Sequence, residues 1–164
     1  VLALYAASLP SGGGIRRLFL SEPPFHFGIH EPAADLADRI QALVDAHDAE
    51  EAVVLFQREA VGLPEAMIAQ FRATPMFTQI VPLAQSTVYD AALTRELSTP
   101  DERMLSVAVP VTILCGQQTF PMLSAAAQRL SAAMPAAELL IVPESVGPRL
   151  DPAAATRIVT ERWA

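Results

Sequence analysis

The sequence contains a single cysteine, Cys115, and neither lysine nor asparagine among its 164 residues. One cysteine excludes an internal disulfide and is typical of a reducing compartment, so we expect a cytoplasmic protein. All 11 basic residues are arginines, and the formal net charge is -7. Because like charges repel, this acidic balance excludes nucleic acid and anionic membrane surfaces as expected partners.

Charged residues are also scarce, at 18%, whereas hydrophobic residues make up 52% of the chain and the mean hydropathy is +0.33. This composition excludes intrinsic disorder, which requires low hydrophobicity and high charge. No charge-free apolar run reaches the length of a membrane span. The length of the chain predicts one folded domain with a buried core. The lack of a long apolar run predicts no contact with the membrane.

Three apolar runs predict strands, at residues 15–21, 109–115 and 138–142. The second and third runs do not alternate with polar residues, which is typical of strands that are covered on both faces. Helical spacing follows each of them, from Leu123 to Met134 and from Asp151 to Trp163. Alternating strands and helices predict an α/β class with a short parallel sheet.

The segment between the first two strands carries only helical patterns. His47-Asp48 predicts a break between two helices with Asp48 as N-cap, and two cap-then-proline pairs, at Thr74 and Thr99, predict further helix starts. We therefore expect residues 1–30 and 107–164 to form an α/β core and residues 31–106 to form an inserted helical cap. The first ten residues, VLALYAASLP, are apolar and lack an N-cap residue, so we expect them to lie in a buried helix.

Residues 109–145, VPVTILCGQQTFPMLSAAAQRLSAAMPAAELLIVPES, resemble the late strand, acid-bearing turn, helix and final strand of the α/β-hydrolase fold. VLALYAASLP resembles the helix after that family's nucleophile elbow, and IRRLFLSEPPF resembles the next strand. The resemblance implies a partial α/β-hydrolase fold and hydrolysis of ester- or amide-type bonds in small apolar molecules. It implies neither a metal nor a cofactor.

The family's catalytic positions are altered in this sequence. The G-x-S-x-G nucleophile motif is absent, Thr119 stands where the acid is expected, and Pro148 stands where the histidine is expected. Threonine cannot stabilise an imidazolium by charge, and a serine without an imidazole has no general base. The resemblance therefore implies that a preceding N-terminal half or a partner chain supplies the missing parts and pairs with the first strand. A noncatalytic binding or scaffolding protein remains the alternative, and an independent small α/β binding domain is a third interpretation.

Glu22 follows the first strand and is a candidate for a relocated catalytic acid, although a structural role in the turn before Pro23-Pro24 is also open. His26 lies in the following loop and is a candidate substrate contact. With His30 it could form a metal pair, but Gly28 argues against the helix that such spacing requires. We therefore expect no metal site.

Cys115 ends the second strand, and no basic residue or histidine lies near it in sequence. A small buried hydrophobic residue is therefore favoured over a nucleophile. In the helical insertion, Met76, Phe77 and Tyr89 are candidate substrate contacts because caps on this fold cover the active site. Their helical spacing is equally what packing alone requires.

Overall fold

Three parallel strands form one sheet, in which β2 lies between β1 and β3. The structure is a computed structural model and describes residues 1–163. β1 spans Leu18–Ser21, β2 spans Val111–Gln118 and β3 spans Ala137–Val146. Helical crossovers join the strands, as parallel pairing requires. The predicted α/β class and short parallel sheet are confirmed.

Nine α-helices and two 3-10 helices accompany the sheet within residues 1–163. The α-helices are α1 (Leu2–Ser8), α2 (Leu36–Asp45), α3 (Ala49–Glu59), α4 (Glu65–Arg72), α5 (Pro75–Ile80), α6 (Ala84–Leu97), α7 (Glu102–Leu105), α8 (Pro121–Ala133) and α9 (Pro152–Trp163). The 3-10 helices are Pro10–Gly14 and Val81–Leu83. The chain divides into two compact units, one formed by Val1–Phe27 with Thr99–Ala164 and the other by Gly28–Ser98.

Buried side chains cover both faces of β2, as its unbroken apolar run predicted. Ile113 and Cys115 belong to one core cluster, and Leu114 belongs to another that contains Val142 and Ile158. Successive side chains of a strand point to opposite faces, which explains the division. A central strand of this kind is held in place from both sides.

β3 differs from the expectation of a strand that is covered on both faces. Within residues 1–163, β3 has a strand neighbour on one side only, and the side chain of Ile141 is 51% exposed. The apolar sequence ELLIV predicts coverage on both faces, but an edge strand can remain apolar while part of it faces solvent. The first helix is likewise less buried than expected, since Leu4 is its one buried residue and Leu2 is 58% exposed.

The strand boundaries also differ from the predicted ones. β2 begins at Val111 rather than at residue 109, because Pro110 has no N–H to donate to a ladder. β1 therefore begins at Leu18, paired with Val111, rather than at Ile15. At the other end, β2 continues past Cys115 because its pairing with β3 resumes at Gln118 after an irregularity.

The helix starts of the inserted unit follow local capping signals. The Asp48 side chain accepts a hydrogen bond from the N–H of Glu51, and Thr74 caps α5 with proline at the first position. The predicted start at Thr99 is wrong: Asp101 caps α7 and accepts from the N–H of Met104 at 2.9 Å. An aspartate two residues further along provides the stronger cap.

The helical unit has its own core. Leu36, Ile40, Val53, Val54, Ile68 and Phe77 are among its buried apolar residues. Arginine–glutamate pairs lie on its surface, including Arg39 with Glu59 and Arg58 with Glu65. This unit therefore has the apolar interior and charged exterior of a folded helical domain.

Candidate functional site

The carboxyl ends of the three strands lie at one edge of the sheet, because all three strands run in the same direction. Ligand sites of parallel α/β sheets form at this edge. Glu22 follows β1, Thr119 follows β2 and Pro148 follows β3, so the topology brings the three predicted catalytic positions to one end of the sheet.

Glu22 is fixed by both its backbone and its side chain. Its N–H donates to the carbonyl of Leu114 at 2.9 Å, and its Oε1 accepts from the N–H of Gly116 at 2.8 Å. Its φ is +42°, in the left-handed region that non-glycine residues rarely adopt. The carboxylate is therefore held at the end of β2 rather than pointing freely into solvent.

Gly116 is tightly enclosed between the Glu22 side chain and Ser145 of β3. A Cβ built at this position would lie 3.0 Å from the carbonyl oxygen of Ser145 and 3.2 Å from Oε1 of Glu22. The pairing of β2 with β3 shifts register between Gly116 and Gln118. Such irregularities are frequent near sites where a strand redirects a side chain.

Thr119 begins the turn between β2 and α8. Its Oγ1 is buried and has no hydrogen-bond partner among residues 1–163. A buried hydroxyl without a hydrogen-bond partner lowers the stability of the folded state, and such groups are explained by a bound partner or by a functional role. The position where the resemblance expects an acid is thus occupied by a buried neutral hydroxyl.

Pro148 is exposed in the turn after β3. The preceding residue, Gly147, has a φ of +64° and donates its N–H to the carbonyl of Gln118 at 3.1 Å. Ser145 is 2% exposed, and its Oγ accepts from the N–H of Asp151 at 3.0 Å. The turn that should carry a histidine is therefore tied to the end of β2 and to the start of α9.

His26 is buried, at 7% exposed, in the loop after Glu22, whereas His30 is exposed in the other unit. The structure therefore does not place the two histidines in the same unit. Within residues 1–163, no group of three or more histidine, cysteine, aspartate or glutamate side chains could hold a metal ion.

Cys115 is 1% exposed, and its environment disfavours the thiolate. Burial raises the pKa of the thiol, the charge of Glu22 raises it further, and a hydrogen bond with Ser124 lowers it. A high pKa keeps the thiol protonated and weakly nucleophilic. These properties fit a small buried hydrophobic residue.

The predicted substrate contacts of the helical unit occupy different environments. Phe77 is 4% exposed and packs edge to face against Phe71, with ring centroids 5.6 Å apart. Its burial is explained by packing. Met76 and Tyr89 are 57% and 66% exposed and are therefore accessible to a ligand.

Sequence reasoning missed Gly116 and Ser145 as parts of this site. Both follow predicted strands, but Gly116 has no side chain and Ser145 is not part of a recognised catalytic motif. Gly116 is 94 residues from Glu22, and no local signal reports so distant a contact.

No helix within residues 1–163 is long and apolar enough to cross a membrane. No protein-family model matches the chain, and no curated protein is similar to it in sequence. A solved structure described as an alpha/beta hydrolase from Sphaerobacter thermophilus DSM 20745 matches 99% of the chain, with a TM-score of 0.81 and 27% identity. The chain spans 63% of that protein's length.

Proposed function

We propose that this chain, which has an α/β-hydrolase-like fold, is the acid-bearing portion of an enzyme that hydrolyses ester- or amide-type bonds in small apolar molecules. The observation that carries the proposal is the Glu22 carboxylate, which the Gly116 N–H holds at the carboxyl edge of the sheet. An acidic side chain at this edge can orient the imidazole of a serine hydrolase.

The geometry of Glu22 supports a positioned acid. One carboxylate oxygen accepts from Gly116, and a carboxylate has a second oxygen that can accept from an imidazole N–H. The left-handed backbone at Glu22 costs of order 1 kcal/mol that glycine would avoid. A glutamate kept in a strained conformation at a strand end is typical of a functional residue.

The remaining catalytic groups would come from outside residues 1–164. The resemblance places the catalytic histidine after the last strand, but the three histidines of the chain all lie at or before residue 47. The chain also has no G-x-S-x-G motif. We propose that a preceding segment or a partner chain supplies the nucleophile and the general base. The same segment would pair with the outer edge of β1, which has one strand neighbour within residues 1–163.

We propose His26, four residues after Glu22, as a substrate contact within the unit that carries Glu22. The helical unit, taken by itself, offers exposed apolar side chains. Met76 and Tyr89 are the candidates there, because their side chains are accessible and can contact an apolar ligand. The single cysteine and the reducing compartment that it indicates support a cytoplasmic location for the enzyme.

The test is Glu22→Gln in the full-length encoded protein, with p-nitrophenyl butyrate as the ester probe. Glutamine keeps an oxygen that accepts from Gly116 but loses the charge, so we expect kcat to fall by about 10²- to 10⁴-fold with little change in Tm. Glu161→Gln, which alters an exposed carboxylate on α9, is the matched control and should leave kcat unchanged. Unchanged turnover in Glu22→Gln would remove Glu22 from the site.

A noncatalytic binding protein is the second candidate function. It is favoured by Thr119 and Pro148, which stand where the resemblance places the acid and the histidine. On this alternative, the wild-type full-length protein would show no turnover of the ester probe above the rate of Glu22→Gln.

A further inference from the structure

We infer that Gly116 is a positioning residue that sets the direction of the Glu22 carboxylate, an inference that rests on the proposed function. Gly116 does so in two ways. Its N–H donates to Oε1 of Glu22, and its missing side chain provides the space in which that oxygen lies. Both contacts act on the same carboxylate oxygen.

The need for glycine at position 116 comes from space and not from backbone conformation. Its φ lies outside the left-handed region, so an L-residue could adopt the same backbone. The atoms that a Cβ would meet are the carbonyl oxygen of Ser145 at 3.0 Å, Oε1 of Glu22 at 3.2 Å and Cβ of Ser145 at 3.3 Å. These distances are shorter than ordinary van der Waals contacts.

One of these neighbours moves more easily than the others. Ser145 is part of β3, and its Oγ accepts from the N–H of Asp151. The turn that follows is tied to β2 by the hydrogen bond from Gly147 to Gln118. The Glu22 carboxylate is the end of a flexible side chain, so a methyl group at position 116 would displace it first.

Displacement of this carboxylate has a specific kinetic consequence. Ordinary contacts begin near 3.4 Å, so a Cβ that meets Oε1 of Glu22 at 3.2 Å displaces this oxygen by a few tenths of an ångström. A misplacement of about 1 Å in a catalytic arrangement can cost about 10²-fold in rate, so the loss expected here is smaller. Glu22 acts on the catalytic base and not on the ground-state substrate, so the loss falls on kcat while KM stays unchanged. A merely structural defect would instead lower the fraction of folded enzyme.

The test is a double-mutant cycle of Gly116→Ala and Glu22→Gln in the full-length protein, with the same ester probe. We expect Gly116→Ala to lower kcat by about tenfold in the wild type and by less than about threefold in Glu22→Gln, because residues that act as a unit are not additive. Gly14→Ala is the matched control, since a Cβ there meets nothing within 4 Å.

The outcomes separate the two proposals. If Glu22→Gln leaves kcat unchanged, the proposed function fails. If Glu22→Gln lowers kcat but Gly116→Ala has no effect, or has the same effect in both backgrounds, the positioning role of Gly116 alone is refuted.

A second measurement does not depend on activity or on the folding of Gly116→Ala. Amide protons that donate to a carboxylate form shorter and stronger hydrogen bonds than those that donate to a neutral oxygen. We therefore expect Glu22→Gln to shift the Gly116 amide resonance more than that of Gly14. An unchanged Gly116 resonance would overturn the inference.

Discussion

Replacing Leu114 by alanine tests whether α9 covers the sheet on the face opposite the larger core. Leu114 lies on the central strand, is 2% exposed, and packs with Val142, Ala154 and Ile158. These are the buried residues of the cluster between β2, β3 and α9. The substitution removes three carbon groups from its centre and leaves the backbone pairing of β2 unchanged.

The expected loss of stability can be worked out from this environment. Removing three buried carbon groups costs about 2.4 kcal/mol at roughly 0.8 kcal/mol for each group. The cavity that remains adds to this cost, and Leu→Ala substitutions in cores range over about 2–5 kcal/mol. The cluster is small, so its neighbours can relax into part of the space. We therefore expect a loss of about 3 kcal/mol.

The assay is urea unfolding of the full-length protein, followed by far-UV circular dichroism. A lower midpoint with an unchanged m-value would identify a loss of stability without a change in compactness. Leu83→Ala, at a position that is 61% exposed, is the control and should change stability by no more than about 0.5 kcal/mol. A loss below about 1 kcal/mol in Leu114→Ala would refute the buried position of this side chain.

Two further predictions concern local interactions. Asp48→Ala removes the cap of α3 and should cost about 1 kcal/mol in the same urea assay, whereas Asp48→Asn should retain most of the stability; equal losses in both variants would contradict a capping role. Arg162, and to a lesser degree Thr112, holds the pKa of Glu138 below its ordinary value of 4.5. A carboxylate whose folded-state pKa is lowered stabilises the protein while it is ionised, and this contribution decreases as the pH falls through the folded-state pKa. The small difference in urea midpoint between wild type and Glu138→Gln should therefore be present near pH 7 and be smaller near pH 3. A difference of the same size at both pH values would contradict this.

Helix starts were predictable where one side chain determines them. Asp48 and Thr74 each precede a helix and accept from its first free N–H groups, so three or four residues of sequence contain the whole signal. Thr99 has the same pattern, but Asp101 caps the helix instead, because two capping residues compete within one short segment. Local signals therefore predicted the existence of these helices better than their first residues.

Strand ends and the candidate site depend on distant parts of the chain. The pairing of Gln118 with Val146 extends β2 through polar residues that no hydrophobic pattern marks. Glu22 could be proposed from its place after a strand, but its contact with Gly116 joins residues 94 positions apart. Such contacts follow from the topology of the sheet and cannot be inferred from neighbouring residues.

The insertion of a whole helical unit between β1 and β2 also bears on the order of folding. Residues 22–110 separate these two paired strands, whereas residues 119–136 separate β2 from β3. The entropic cost of closing a loop rises with its length, and contacts between residues that are distant in sequence form slowly. We therefore expect β2 and β3 to pair before β1 joins them. The strand that precedes Glu22 would then be the last of the three to be fixed, and the candidate site would be completed late in folding.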